Sequence, residues 1–220
     1  MSLPIVLGGG AVDWAGDASG RGYIRPQKSD GREVYPATTA AFALTLSGLT
    51  AAAPAAAANL VSFRFKSTTK LCIIKSIQTR ITVSTASTAG LPEFGCYVAR
   101  SFGAADTGGT AVSLAGNQNK LRTSLATSEF SAGGGDIRFA TAGVLTAGTR
   151  TLDTYPLITA ATSLALGSTA EMDFEGEHDN DYALILTDNE GVVFQNVTAL
   201  TAGIYRYHVR IIWHEETAYG

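Results

Sequence analysis

Apolar and polar residues alternate with a period of two through most of the chain beyond residue 58. This period is typical of an antiparallel strand with one buried face. It is clearest in residues 204–214, where the polar positions include Arg206, His208 and Arg210. We therefore predict a long strand there, whose core-facing residues are Tyr205, Tyr207, Val209, Ile211 and Trp213.

Shorter runs of the same kind recur along the chain, separated by clusters of Gly, Asn, Asp and Ser that favour tight turns. No segment beyond residue 58 has the pattern of an amphipathic helix. About eight to ten short strands, with longer loops at residues 115–136 and 142–161, predict an all-β fold, an antiparallel two-sheet sandwich of the jelly-roll kind. An immunoglobulin-like sandwich is the alternative, but the chain lacks its Cys…Trp…Cys spacing. The other strands are predicted at residues 61–66, 77–83, 94–102, 110–114, 137–140, 164–166, 172–174, 182–187 and 192–197.

Residues 1–58 differ from the rest of the chain. They consist mainly of small residues with scattered aromatics and an Ala-Pro tract at 51–58, and they sustain no strand or helix period. Such a segment has too little bulky apolar surface to offset the entropy lost on ordering. We therefore predict an extended N-terminal arm over 1–58, a sandwich body over 59–216 and a short tail over 217–220. The arm is expected to dock on its own body or on neighbouring subunits through Trp14, Tyr23, Ile24, Arg25, Tyr35 and Phe42.

The composition favours a protein that makes extensive contacts with other proteins. Charged residues make up 16% of the chain, against roughly 25% in an average soluble domain. The net charge is −3 and the cations are scattered along the sequence, so we expect no direct binding to nucleic acid. Residues 1–7 lack the basic start of a signal peptide, and no apolar run is long enough to cross a membrane.

The two cysteines, Cys72 and Cys96, both lie in apolar, strand-like runs. Free cysteine behaves as a small apolar side chain, so two buried thiols are the expectation. A disulfide across adjacent strands is the alternative, and only the geometry of the Cβ atoms decides between them.

The sequence contains no recognisable catalytic or cofactor-binding motif. Its glycine clusters lack the Gly-Lys-Ser/Thr ending of a phosphate loop, and no Gly-x-Ser-x-Gly elbow is present. We therefore expect no enzymatic activity, no catalytic residues and no cofactor.

Two features of the sequence are candidate metal sites. His208 and His214 share a strand face, but six residues of strand span roughly 20 Å, too far for one metal ion. The acidic segment at residues 171–181 could supply oxygen ligands to Ca²⁺. Because its carboxylates alternate with Met172 and Phe174, a solvated strand face and loop is favoured, and no metal site is expected.

Aromatic residues on the strand at 204–214 could instead form a platform for stacking sugar rings. Tyr205, Tyr207 and Trp213 share their face with Val209 and Ile211, however, which favours a place in the core.

Residues 109–124 and 147–153 resemble structural proteins of tailed-bacteriophage heads, and more closely capsid decoration, or cement, proteins. The resemblance implies a β-sandwich that is made in the host cytoplasm and stabilises the virion surface at subunit junctions. The implied partners are the major capsid protein and further copies of the chain, as a dimer or trimer. The alternatives are a carbohydrate-binding module of a phage fibre or spike and a minor tail or head–tail joining component. No functional residue is transferred from the resemblance.

Overall fold

The structure is a computed structural model of the chain, and it describes residues 5–7, 10–16, 22–26, 40–85, 91–123, 125–132, 135–162, 168–173 and 183–217. The chain divides into two compact units. The first comprises Met1–Ala37 with Glu177–Asn180, and the second comprises Thr38–Gly176 with Asp181–Gly220.

The first unit contains a small antiparallel sheet of three strands. β1 (Ile5–Leu7), β2 (Gly10–Gly16) and β3 (Gly22–Pro26) pair in sequence order. The sequence of this segment sustains no strand period, so these strands are not predicted from it. The pairing of strands rests on main-chain hydrogen bonds, so a segment rich in Gly and Ala can pair without side-chain alternation.

The second unit contains two antiparallel sheets. In the first sheet the strands follow the order β10 (Arg150–Leu152), β7 (Glu93–Phe102), β14 (Gly191–Asn196), β5 (Asn59–Arg64), β9 (Asp136–Phe139) and β8 (Thr110–Ala111), and β11 (Ile158–Ala161) also pairs with β7. In the second sheet the order is β12 (Ser168–Asp173), β6 (Leu71–Thr85), β15 (Ile204–Glu216) and β4 (Ala40–Ala52), and β13 (Leu184–Leu186) also pairs with β6.

The two sheets pack face to face, which confirms the predicted all-β, two-sheet sandwich. The side chains of β15 alternate between the interior and the outer face, as the sequence pattern predicts. Contacts between aromatic rings connect the sheets: the ring centroids of Phe94 on β7 and Tyr207 on β15 lie 4.6 Å apart. The predicted core residues of β15 are each at most 1% exposed: Tyr205, Tyr207, Val209, Ile211 and Trp213.

Trp213 lies at the centre of an aromatic cluster that joins three parts of the second unit. Its ring stacks on Phe42 of β4 at 5.3 Å and meets the edge of Phe63 of β5 at 5.1 Å. Phe130 approaches to 5.7 Å from a short helix, α1 (Glu129–Ala132), within the predicted loop at 115–136. Because aromatic side chains bury large apolar areas, this cluster is a main source of stability.

The predicted boundary of the arm at residue 58 is wrong. β4 pairs along its length with β15 and belongs to the sandwich, and Phe42 is fully buried. The inward positions Phe42, Leu44 and Leu46 do alternate with outward ones, but Ala43 is apolar and hides the period. Phe42 is therefore a core residue and not an arm contact.

The free edge of β4 is covered at both ends by loops. The Ala43 N–H donates to the Asn119 carbonyl at 3.1 Å, and the Asn119 side chain donates back to the Ala43 carbonyl at 3.0 Å. At the other end, the Thr50 N–H donates to the Thr141 carbonyl at 3.3 Å. Between these contacts the pairing with β15 shifts register at a β-bulge that contains Gly48, whose φ of +69° favours glycine.

Both cysteines are buried and free. Cys72 lies on β6 of the second sheet and Cys96 on β7 of the first, so they do not occupy adjacent strands. Burial raises the pKa of each thiol well above its ordinary value. Two protonated, buried thiols therefore agree with the expectation from sequence.

Other predicted elements are only partly matched. The predicted loop at 142–161 contains β10 and β11, and the predicted strand at 164–166 lies outside the described residues. Among the residues that the structure describes, no helix has the length and apolarity required to cross a bilayer.

Candidate interaction surface

Four of the six residues predicted to make arm contacts lie on β2 and β3 of the first unit. On β2 and β3, Trp14 is the cross-strand partner of Ile24, while Tyr23 and Arg25 pair with the residues on either side of Trp14. Tyr35 lies outside the described residues. Their role as assembly contacts stays a prediction, and Phe42 leaves the set because it lies in the core.

The outer face of the second sheet carries a cluster of cationic side chains. Arg206, His208 and Arg210 lie on the outward positions of β15, and Arg80 of β6 lies directly opposite His208. Side chains opposite each other on antiparallel strands have Cβ atoms roughly 4.5–5.5 Å apart. We call these four residues the cationic face.

His208 is central to the cationic face and half-buried, while the three arginines are exposed. Arg206 and Arg210 lie two residues to either side of it on the same strand, about 7 Å away along the strand in each direction. Arg80 lies on the neighbouring strand β6, directly opposite His208. The face therefore presents three guanidinium groups around one imidazole.

A small cavity lies beside His208, where the pairing of β15 with β4 is irregular. Tyr207 pairs with Leu49 and Val209 with Leu46, so no single residue of β4 lies opposite His208. A cavity of about 170 Å³ lies next to this irregular pairing. It is lined by Thr45, Gln78, Arg80, His208, Val209 and Arg210.

On the same sheet, the register places Glu171 of β12 opposite Gln78, the β6 residue two positions from Arg80. No carboxylate among the described residues pairs with Arg80, Arg206 or Arg210. Burial lowers the pKa of His208, and the positive charges of Arg80 and Arg206 lower it further. The imidazole is thus mainly neutral at pH 7.

The opposite end of the same sheet face has its own acidic partners. His214 lies 3.4 Å from the carboxylate of Glu216. Burial raises the pKa of Glu216, and the charge of Lys75 opposes that rise.

A second cavity, of about 340 Å³, lies at the end of the sandwich and is lined mainly by hydroxyl groups. Its one lysine, Lys70, already pairs with Glu129 at 2.8 Å. The other lining residues are Ser67, Thr68, Thr69, Leu71, Thr187, Asp188 and Thr217. We assign no chemistry to this cavity.

Glu215 is a buried carboxylate that the alternation of β15 places on the inward face. It accepts hydrogen bonds from the Ser128 hydroxyl at 2.6 Å, the Glu129 N–H at 2.7 Å and the indole N–H of Trp213 at 3.1 Å. These bonds anchor the start of α1 to the end of β15. Its role is structural.

Asp106 is a second buried carboxylate, at the end of the first sheet. It accepts a hydrogen bond from the Gly148 N–H at 2.7 Å and further bonds from the side chains of Asn59 and Arg150. The Arg150 guanidinium also lies 6.0 Å from the centre of the Phe102 ring. This group connects two loops to the sheet and is closed to solvent.

The structure bears on the metal and sugar sites that the sequence suggested. Within the described ranges, no three His, Cys, Asp or Glu side chains come together as a metal site. Of the acidic segment at 171–181, the backbone of β12 is described and residues 174–181 lie outside the described residues. Tyr205, Tyr207 and Trp213 are buried, so these three rings are not a sugar-stacking platform.

The cationic face could be foreseen from the sequence only in part. Alternation along 204–214 places Arg206, His208 and Arg210 on one face, but the sequence does not reveal that Arg80 lies across from His208. That relationship depends on the register between two strands about 130 residues apart, which local patterns do not specify.

Comparison with protein-family models gives no match, and a search of curated proteins finds no relative of this chain. The chemistry of the cationic face is therefore the starting point for a functional proposal.

Proposed function

We propose that this chain is a structural, non-enzymatic virion protein, a capsid decoration protein that binds the phage head at subunit junctions and stabilises the shell. The observation that carries the proposal is the cationic face, a set of exposed arginines on a rigid sheet. Arginine is enriched at protein interfaces because its planar group pairs with carboxylates in a fixed geometry. The resemblance of residues 109–124 to head structural proteins points to the same class.

The surroundings of the cationic face suit contact with a protein surface. The sheet beneath it is backed by the aromatic core, so its side chains are held on a stiff support. Thr45 lines the central cavity and can add a hydrogen bond. The proposed partners are the major capsid protein and further copies of the chain, as a dimer or trimer.

Contacts of this kind are weak one by one and become effective in an array. An exposed ion pair contributes only about 0.2–1 kcal/mol. A shell presents the same site many times, so an oligomer that engages several sites at once gains avidity without any new kind of contact. The decoration role therefore requires a repeating surface.

The test is co-sedimentation of the purified full-length protein with undecorated phage heads. We expect the wild-type protein to bind to saturation and to raise the melting temperature of the heads, because a ligand stabilises the state it binds. The variant Arg206→Glu/Arg210→Glu should bind less, and so should Arg206→Glu alone. Arg122→Glu, which reverses one exposed charge outside the cationic face, is the matched control for Arg206→Glu and should bind as the wild type does.

Two results would contradict the proposal. One is failure of the wild-type protein to sediment with the heads. The other is electron-microscopy density for the protein only at the tail vertex, which would identify a joining component instead.

A further inference from the structure

We propose that the cationic face binds an extended acidic segment of a partner protein that carries carboxylates at every second residue. The inference rests on the proposed function only in placing that partner in the same particle. Recognition of such a segment can be tested with the purified protein and synthetic peptides, without phage heads.

The spacing of Arg206 and Arg210 matches the repeat of side chains on one side of an extended peptide. Arg206 and Arg210 lie four residues apart on β15, which corresponds to roughly 13 Å of strand. In an extended peptide, alternate side chains point the same way and repeat at about 7 Å. Carboxylates at positions i and i+4 can therefore reach Arg206 and Arg210, while the carboxylate at i+2 lies over His208 and Arg80.

The positive charges of the cationic face favour a carboxylate ligand. Arg80 lies diagonally across from Arg206 and Arg210, about 7–8 Å away, and these like charges repel one another when no counter-charge is present. The groups facing His208 are Arg80 from β6 and Arg206 and Arg210 from β15, while β4 contributes the uncharged Thr45 to the cavity. A carboxylate above this cavity would relieve the repulsion and accept hydrogen bonds from the arginine groups.

A nucleic acid fits this surface less well than an acidic peptide does. Proteins that hold single strands combine positive charge with aromatic side chains that stack on the bases. The cross-strand partners of the three arginines are Thr45, Thr50, Gln78, Thr82, Thr169 and His208, and the tyrosines of β15 point inward. The net charge of the whole chain is also negative, at −3.

The experiment uses two synthetic peptides of equal charge, one with four Glu alternating with four Ser and one with four Glu followed by four Ser. Binding is followed by NMR of the full chain at low salt, from the imidazole signals, and His208→Gln assigns the signal of His208. We expect the alternating peptide to bind more tightly and to raise the pKa of His208, because a nearby carboxylate favours the protonated ring.

Charge-reversal variants test whether the cationic face binds the alternating peptide. Arg206→Glu/Arg210→Glu should weaken binding of the alternating peptide by about fivefold or more. Arg122→Glu is compared with Arg206→Glu alone, since each reverses one exposed charge, and only Arg206→Glu should weaken binding. Circular dichroism of each variant checks that it is folded.

Three outcomes would overturn the inference. They are equal binding of the two peptides, equal loss of binding in Arg122→Glu, and tighter binding of an eight-residue thymidine oligonucleotide than of the alternating peptide. If the peptide binds as expected but the protein does not sediment with phage heads, the recognition chemistry stands and the proposed function fails.

Discussion

The carboxylate of Glu215 accepts a 2.6 Å hydrogen bond from the hydroxyl of Ser128 in the interior of the sandwich. Burial raises the pKa of Glu215 above its ordinary value of 4.5, although its three hydrogen bonds oppose the rise. Ionised Glu215 therefore costs the folded state free energy. The contribution of this side chain to stability is greatest below pH 4.5 and falls as the pH rises through the folded-state pKa.

The first prediction follows from this fall in stability with rising pH. The free energy of unfolding of the wild type relative to Glu215→Gln should fall between about pH 4 and pH 7.5, because only the wild type loses a favoured proton. Urea unfolding at the two pH values measures the difference.

A control of opposite sign is available for this experiment at Asp153. A hydrogen bond from the exposed Arg100 lowers the pKa of Asp153 below its ordinary value of 3.8. The stability of the wild type relative to Asp153→Asn should therefore rise with pH through the acid range. If both differences in stability changed with pH in the same direction, the pKa of Glu215 would not be raised.

The second prediction concerns the buried pair of Asp106 and Arg150, whose side chains are 0% and 6% exposed. Asp106→Ala should lower the free energy of unfolding by about 3–5 kcal/mol, because it leaves a buried guanidinium without its partner. The exposed pair of Arg100 and Asp153 is the control, and Asp153→Ala should cost less than about 1 kcal/mol. Similar losses for the two pairs in urea unfolding would contradict the structural role of Asp106.

The third prediction separates the two units of the chain. Deletion of residues 1–37 should leave the second unit folded, since every strand of the sandwich begins after them. Deletion of residues 1–58 should unfold it, because that removes β4 and exposes the face of Trp213 that stacks on Phe42. Far-ultraviolet circular dichroism and thermal unfolding measure both, and a folded 59–220 fragment would show that β4 is dispensable.

The fourth prediction tests the aromatic cluster. Trp213→Ala should lower the free energy of unfolding by about 3–5 kcal/mol, since it leaves a cavity among Phe42, Phe63 and Phe130. The exposed Leu121 provides the comparison, and Leu121→Ala should change stability by less than about 0.5 kcal/mol. A loss below about 1 kcal/mol for Trp213→Ala would mean that the inward face of β15 is assigned wrongly.

Side-chain alternation predicts the interior of this protein well where bulky and polar residues alternate without interruption. It assigns both faces of β15 correctly from residue 205 to residue 213. In β4 the same rule fails, because Ala43 interrupts the polar positions and the bulge at Gly48 shifts the period. A search that allowed small residues at outward positions would have found this strand.

Relationships between distant parts of the chain could not be predicted. Ser128 and Glu215 are 87 residues apart in sequence, and Asp106 and Arg150 are 44 residues apart. Their partnership depends on how loops return to the sheets, and single-sequence patterns carry no information about that. The pairing of Arg80 with His208 is of the same kind, so the centre of the cationic face emerges only from the fold.

The loops that cover β4 also influence how copies of this protein can meet. A bare edge strand offers unpaired main-chain groups to which another chain can add a strand, the first step of many aggregates. Here Asn119 and Thr141 occupy such groups at the two ends of β4, and the bulge distorts the stretch between them. We therefore expect copies crowded together on a surface not to merge through this edge, and each copy to attach and detach as an intact folded unit.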